Sequence, residues 1–448
     1  MLKYHMLHRE KQVVSGYLLP VMACFVFMMI IVGLGYKRAN AQTRSGNHSI
    51  TKSRDTLNPG ISDYYQKIAA FKDHLEWGSH NVHDPTVIKA GKWFYLYSTD
   101  AAYGRRNLKR VGIQVRRSKD LIHWQFLGWA FNGIPEKARK FVTKQNHGKK
   151  PRNIWAPFIM KVGKQYRLYY AVSVFGSRAS YVGLATSESP QGPWKQQGSV
   201  VKTTKADSMN AIDPSVVVNP QNGTYWMSYG SYFGGIFMIQ LNPSTGMAVK
   251  PGDKGHRIAF RLKKGNSIEG SDLLYNPQLK KYYLFISYGW LGSSYNVRVG
   301  RANRPQGPYY DFDGKNMADV GNDVPRITAE YKFDHSSGWQ GFGGSCSLRI
   351  GNKYFYLSQA RPASHHHMMD LHVHKMVFTL GGWPVISPER YDDVPQETLT
   401  PDSLDGNWEY IVLNKTKSLN VSRHIQLLAD GMISGGSSHS KWSFDNGI

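Results

Sequence analysis

The chain has 448 residues, enough for a large buried core, with 13% aromatic residues, 44 Gly and a formal net charge of +25. Abundant Tyr, Trp and Gly point to strands and tight turns, hence to an all-β chain and away from a helical bundle. The charge would suit a nucleic-acid binder, but the basic residues are dispersed and neither a nucleic-acid motif nor a low-complexity basic tail is present, so no nucleic-acid partner is expected.

Lys3, Arg9 and Lys11 precede an apolar run from Gly16 to Tyr36, and Ala39-Asn40-Ala41 follows as a small-x-small cleavage pattern. Residues 1–41 therefore read as a signal peptide, with cleavage after Ala41, or as a retained membrane anchor. Either way the remainder is expected to be exported, and secreted or held at the cell surface. Cys24 lies within the apolar run, so the mature chain keeps at most Cys346 and no internal disulfide. Residues 42–60 are polar and turn-rich, and read as a linker. Two denser basic patches follow, Arg105 to Arg117 and Lys137 to Arg152. They suit a solvated surface, or long-range attraction to an anionic matrix such as an acidic cell wall or pectin.

Between residues 80 and 380 one pattern recurs. A strand opens on a small polar motif, turns at Gly or Asn, and returns as an aromatic-rich strand ending near Ser or Tyr. The copies begin at Asp84 (DPTVIKAGKWFYLYS), Trp155, Asp213, Glu269 and Gly344. GLATSESPQGPW and GRANRPQGPY are near-copies that follow two of them. Repeats with about four strands each are the signature of a propeller, and no amphipathic helix of any length competes with them. The expected catalytic unit is a five-bladed β-propeller over residues 61–395. A small β-module over residues 400–448 follows, with a hairpin through Asp430-Gly431, and reads as partial.

The first strand of each blade lines a propeller's channel, so the residues opening those strands converge. The expected ring is Asp84, Trp155, Asp213, Glu269 and Ser345. Asp before Pro is by itself ordinary turn chemistry. Three carboxylates facing one pocket repel one another, which a fold tolerates mainly where their proton affinities are used. Glycosidic hydrolysis has that need: one carboxylate activates water and another protonates the leaving oxygen.

His83-Asp84-Pro85, Trp155-Ala156-Pro157, Asn210-Ala211-Ile212-Asp213-Pro214 and Ile268-Glu269-Gly270 together resemble glycoside hydrolase family 43, and within it the endo-acting 1,5-α-L-arabinanases. YYLFISYGWLGSSYNVRVGRANRPQGPY and GGWPVISPERY carry the same likeness, which extends over about residues 78–395. The NWEY…DGMISG segment resembles the C-terminal module of the longer members. The resemblance implies an inverting enzyme with Asp84 as general base, Glu269 as general acid and Asp213 as the modulator that raises and orients the acid. It also matches Asn210, Ala211, Ile212, Gly230, Ser231 and Tyr232 to substrate-contacting positions, and makes Trp155 a wall of the cleft. Arabinan or arabino-oligosaccharides are the implied substrates, and a monomer is expected.

Two departures stand out. Members usually carry a calcium-ligating His in the fifth blade, where this chain has Ser345, which puts calcium in doubt. The residue after Trp-Ala-Pro is commonly acidic, and here it is Phe158. His365, His366 and His367, with His372 and His374, lack the spacing of a known metal site and read as a loop and a strand. Competing readings are an exo-acting arabinofuranosidase or β-xylosidase of the same fold, and a non-catalytic carbohydrate-binding propeller at the cell surface.

Overall fold

The computed structural model describes residues 77–100, 112–262, 267–319, 324–334, 336–364, 369–393, 400–414, 419–436 and 440–444. The expected leader and linker, residues 105–111 of the first basic patch, and His365 to His367 lie outside them.

Each repeat folds as an antiparallel sheet in sequence order. The first comprises β1 (Thr86–Ala90), β2 (Trp93–Ser98), β3 (Gln114–Ser118) and β4 (Gln125–Trp129). After helix α1 (Glu136–Gln145) come β5 (Trp155–Val162), β6 (Gln165–Val172), β7 (Tyr181–Ser187) and β8 (Lys195–Lys202). The third sheet has β9 (Ser215–Val218), β10 (Tyr225–Tyr229), β11 (Ile236–Leu241) and β12 (His256–Ala259). The fourth has β13 (Ile268–Asn276), β14 (Lys281–Tyr288), β15 (Asn296–Ala302) and β16 (Arg326–Thr328). The fifth has β17 (Tyr331–Lys332), β18 (Trp339–Ile350), β19 (Lys353–Pro362), β20 (Asp370–Phe378) and β21 (Pro384–Arg390). Helix α2 (Pro401–Leu404) and strands β22 (Gly406–Tyr410), β23 (Asn420–Val421), β24 (Arg423–Leu427) and β25 (Ile433–Ser434) complete the described elements. β22, β24 and β25 form a separate small sheet around Leu404, Trp408, Ile425 and Leu427, while β23 pairs in parallel with β17.

The architecture is thus all-β with almost no helix among the described residues. Helix α1, ten residues between the first and second sheets, was not singled out in the sequence and leaves the all-β organisation intact. Its buried face is only Ala138 and Val142, with Lys137, Lys140 and Lys144 exposed, too narrow an apolar stripe to stand out among basic residues. Most of the second basic patch is this helix and the exposed loop after it.

Strands β1, β5, β9, β13 and β18 touch one another in that order, and β18 touches β1. Period-two alternation then supplies a core at each junction, because successive residues of a central strand face different neighbours. In β2, Tyr97 packs with Tyr170 of the second sheet, whereas Leu96 packs with Leu357 of the fifth. In β14, Ile286 joins Ile236 of the third sheet and Phe285 joins Tyr356 of the fifth. Leu184 and Met227 fill the junction of the second and third sheets.

Polar struts repeat along the same strands. Thr86 Oγ1 accepts from Ile159 N–H at 3.3 Å, Ser215 Oγ from Leu273 N–H at 3.0 Å, and Asp272 Oδ2 from Ser347 N–H at 2.7 Å. Each satisfies a buried backbone donor of the next sheet, which would otherwise be costly to leave unpaired.

Candidate active site

One left-handed residue lies just before or within each of the five touching strands: Asp84 (φ +48°), Ala156 (+38°), Asp213 (+56°), Gly270 (+61°) and Gly344 (+54°). This region is open to Gly and tolerable for Asp, and it is strained for Ala. The expected ring is therefore corrected in three sheets: Trp155 and Glu269 stand one residue before the equivalent position, and Ser345 one after it. Register shifts between Trp155 and Phe158, between Glu269 and Asp272, and between Gly343 and Cys346 accommodate the turn. The five left-handed residues and the two that follow each of them line one cavity.

Asp84 is held by several groups. Thr99 Oγ1 donates to its Oδ2 at 2.6 Å, His83 Nδ1 meets the same oxygen at 2.7 Å, and its own N–H donates to Gln359 Oε1 at 3.0 Å. Burial pushes its proton affinity up, but His83, the two hydrogen bonds and the nearby Arg361 guanidinium outweigh that and hold the carboxyl below its usual range. Its side chain keeps 19% of its surface exposed, so water can reach it.

Glu269 precedes the left-handed Gly270 and takes two hydroxyls: Ser231 Oγ donates to Oε2 at 2.7 Å and Tyr295 OH to Oε1 at 3.0 Å. Burial is the largest influence and, helped by the charge of Asp84, raises its pKa despite those bonds. Asp213 Oδ2 accepts from Gly270 N–H at 2.9 Å. Burial, then the charges of Glu269 and Asp84, push Asp213 well above the ordinary carboxylate range. Asp84 is thus the carboxyl that favours its charged form, while Asp213 and Glu269 both favour the protonated form.

The other expected residues are placed as follows. Ser231 touches Glu269 directly. Tyr232 is half-buried in the same left-handed turn, its N–H donating to Ile268 O. Gly230 N–H donates to Ile212 O. Asn210 and Ala211 are buried behind the site: Asn210 Oδ1 accepts from Ser180 Oγ, and Ala211 belongs to the core between the second and third sheets. Trp155 is half-buried, its indole N–H donating to Asn153 Oδ1 at 2.7 Å. Phe158 lines the cavity and packs near Tyr169.

Thr99, Ser287, Tyr295 and Gln359 were not singled out in the sequence, yet each touches the site. The signal for three of them was the Ser, Thr or Gln at the end of each returning strand. Ser287 Oγ accepts from Gly344 N–H, as Thr99 Oγ1 does from Ala156 N–H. Tyr295 carries no such pattern.

A calcium ion held by imidazole does not fit these residues. Ser345 offers one hydroxyl at the family's His position, and the cavity's remaining carboxylate, Asp272, is engaged as a strut. His372 and His374 are buried in β20, away from the cavity lining, beside Trp339 and Phe342.

Carboxylates of opposed proton affinity at one cavity mouth are the equipment of a glycoside hydrolase. The chain belongs to the glycosyl hydrolases family 43, whose profile matches residues 78–330. A C-terminal lipocalin-like domain profile matches residues 388–448. The chain is 30% identical over 397 residues to the extracellular endo-α-(1→5)-L-arabinanase of Thermotoga petrophila, covering 79% of this chain and 81% of the relative. A crystal structure of the Thermotoga petrophila endo-1,5-α-L-arabinanase with TRIS superimposes with a TM-score of 0.70, covering 81% of this chain and 86% of that one. An extracellular exo-α-(1→5)-L-arabinofuranosidase from Cellvibrio japonicus is 28% identical, covering 71% and 90%. The structure of Cellvibrio cellulosa α-L-arabinanase with arabinohexaose matches at 27% identity and a TM-score of 0.57, covering 68% and 95%.

Proposed function

We propose that this chain is an exported, inverting endo-arabinanase on a five-bladed β-propeller, cleaving internal α-1,5-L-arabinofuranosidic bonds of arabinan. The observation that carries the chemistry is the opposed environment of two carboxylates: Asp84 is held below its usual range and Glu269 above it. The names of the Thermotoga and Cellvibrio relatives support the substrate.

Asp84, ionised and reachable by water, takes a proton from the water that attacks the anomeric carbon. Glu269 gives its proton to the departing glycosidic oxygen, so one proton is gained at residue 84 and one lost at residue 269 in each turnover. Burial and the charge of Asp84 keep Glu269 protonated, and Asp213 fixes Gly270 beside it. Inversion calls for carboxyls roughly 6.5–9.5 Å apart to admit the water. Trp155, Ser231 and Tyr232 would border the sugar, with Asn210, Ala211, Ile212 and Gly230 shaping the wall behind.

Residues 61–395 would form the catalytic unit and 400–448 an appended β-module. The export signal would lie in residues 1–41, and the basic surface would draw a monomeric enzyme toward galacturonate-rich polymer. An exo mode is the second reading, favoured by the exo-acting Cellvibrio japonicus relative.

The test is digestion of debranched arabinan, arabinoxylan and xylan in parallel, with proton NMR of the first-formed anomer. Arabino-oligosaccharides of inverted configuration from arabinan alone are expected. Free arabinose as the sole early product would overturn the endo assignment, and retention would overturn the roles. Glu269→Gln should lose about 10²–10⁴-fold on arabinan and much less on an aryl arabinofuranoside whose leaving group needs no acid.

A further inference from the structure

We infer that Gln359 and His83 form a positioning relay that presents a fixed N–H to Asp84; the inference rests on Asp84 being the general base. Three contacts close a small circuit. Asp84 N–H donates to Gln359 Oε1 at 3.0 Å, Gln359 Nε2 lies 3.2 Å from His83 Nε2, and His83 Nδ1 lies 2.7 Å from Asp84 Oδ2.

Each link dictates the next. A backbone N–H only donates, so the Gln359 atom facing it is the carbonyl oxygen, which settles the orientation of the amide. The amide nitrogen therefore faces His83, and since it only donates, His83 Nε2 must be the accepting, unprotonated nitrogen. The ring proton then sits on Nδ1 and points at the carboxylate. A main-chain group of residue 84 thereby determines, through two side chains, which imidazole nitrogen its own carboxylate meets.

Gln359 is fully buried in β19 and His83 immediately precedes Asp84, so the circuit also spans the junction of the fifth and first sheets. With His83 Nδ1–H and Thr99 Oγ1–H both donating hydrogen bonds to Oδ2, that oxygen is occupied and Oδ1 is the one left to take a proton from water. A tie serving only to close the fold would hold Asp84 in place without selecting a tautomer.

The charged and titratable groups facing Asp84 are His83, Arg361, Asp213, Glu269 and Tyr295. Removing the relay leaves the other four and takes away a bond that favours the ionised carboxylate. Asp84 then binds its proton more tightly, and the acid limb of kcat/KM moves up.

The experiment uses the ¹⁵N-labelled chain, with Gln359→Met, His83→Asn and His83→Ala made in parallel and thermal melts as a check on folding. Proton–nitrogen correlation spectra should show His83 protonated on Nδ1 in the parent and a mixture of tautomers in Gln359→Met. Gln359→Met and His83→Ala should lose about tenfold in kcat with KM within about twofold, and their acid limb should rise by about one pH unit. His83→Asn, whose amide can donate from nearly the same place, should recover much of the loss. A parent protonated on Nε2, or an unmoved acid limb in Gln359→Met, overturns the relay. Asp84→Asn separates the two claims. If it stays active, the base assignment fails and the relay with it; if it is inactive while the His83 and Gln359 variants behave as the parent, only the relay fails.

Discussion

The phenol of Tyr295 donates to Glu269 Oε1, and its ring occupies the space that Gly343 of the adjoining sheet leaves open. A Cβ on Gly343 would stand 2.1 Å from Tyr295 Cδ1, so the fifth sheet fixes the hydroxyl that steadies the acid borne by the fourth. The bond favours the charged carboxylate and lowers the acid's pKa from where burial alone would put it. Tyr295→Phe should therefore raise it. Since the acid must be protonated, the basic limb of kcat/KM should move up by about half a unit to one unit, with kcat falling at neutral pH as Glu269 loses its alignment. Gly343→Ala should reproduce the kcat loss by displacing the ring. A pH–rate profile with an unmoved basic limb in Tyr295→Phe would contradict this.

Asp272 occupies the strut position filled elsewhere by Thr86 and Ser215. Burial pushes its carboxyl up to about 7, against bonds from Ser347, Leu273 and Ser215 that pull the other way. A folded pKa above the unfolded one, about 3.9 for Asp, means that the folded state binds the extra proton. Stability from this group is full below about pH 4 and is lost as pH rises through about 7. Asp272→Ser keeps an acceptor that reaches the same kind of N–H, as Ser215 does. It should raise the melting temperature at pH 8 by a few degrees, roughly 2–4 °C per kcal/mol, and bring no gain at pH 4. If Asp272 were instead a metal ligand, the same variant would lose stability in a chelator-sensitive way, which melts with and without EDTA would reveal.

His372 and His374 carry the opposite sign. They stack with ring centroids 5.5 Å apart in buried surroundings, and the Trp339 and His372 rings meet edge to face with centroids 4.2 Å apart. Burial is the main cause that lowers both, His374 to about 4 and His372 well below its ordinary value, with Arg390 adding to it. Unfolded histidines take up protons near pH 6.5, about their model value, where these two do not. Stability from them is present above that pH and declines as pH falls toward about 4. His372→Phe, which suits the aromatic surroundings, should shift acid unfolding to lower pH by about half a unit and change little at pH 8. Denaturant midpoints measured across pH 4–8 would decide it.

The repeat and the three carboxylates were legible because a hairpin with a fixed polar opening leaves a period in the sequence. The one-residue offset was not, because it is set by backbone conformation: Ala156, Gly270 and Gly344 take the left-handed turn that Asp84 and Asp213 take, and no side-chain pattern marks Ala156 for it. Helix α1 was hidden by its basic surface. Tyr295 reaches Glu269 from the turn between β14 and β15, which no repeat marks, and Gln359 acts across sheets, separated from Asp84 by 275 positions, a distance over which one sequence gives no pairing information. Ser345 was legible as a departure, but the strut role of Asp272 needed the neighbouring sheet to be seen.

The loops after β6 and β14 rise on the face that carries the three carboxylates, since β6 pairs with β5 at Trp155 and β14 pairs with β13 at Glu269. There Phe175 and Trp290 are 68% and 51% exposed and meet edge to face, with ring centroids 6.4 Å apart. From the same loop as Phe175, Arg178 lies over the ring of Phe233, 5.5 Å from its centroid, so loops of the second, third and fourth sheets meet here. Exposed aromatic faces beside a carbohydrate cleft suit stacking on furanose rings, a contact made equally in ground and transition states. Loss of such a contact raises KM and spares kcat. Phe175→Ala should raise KM on long linear arabinan about three- to tenfold with kcat within about twofold, and should do less on the shortest oligosaccharide the enzyme cleaves. Steady-state kinetics across a ladder of arabino-oligosaccharides would show the effect growing with length. An equal effect at every length would move Phe175 into the central cleft, and none at all would remove the rim from the binding surface.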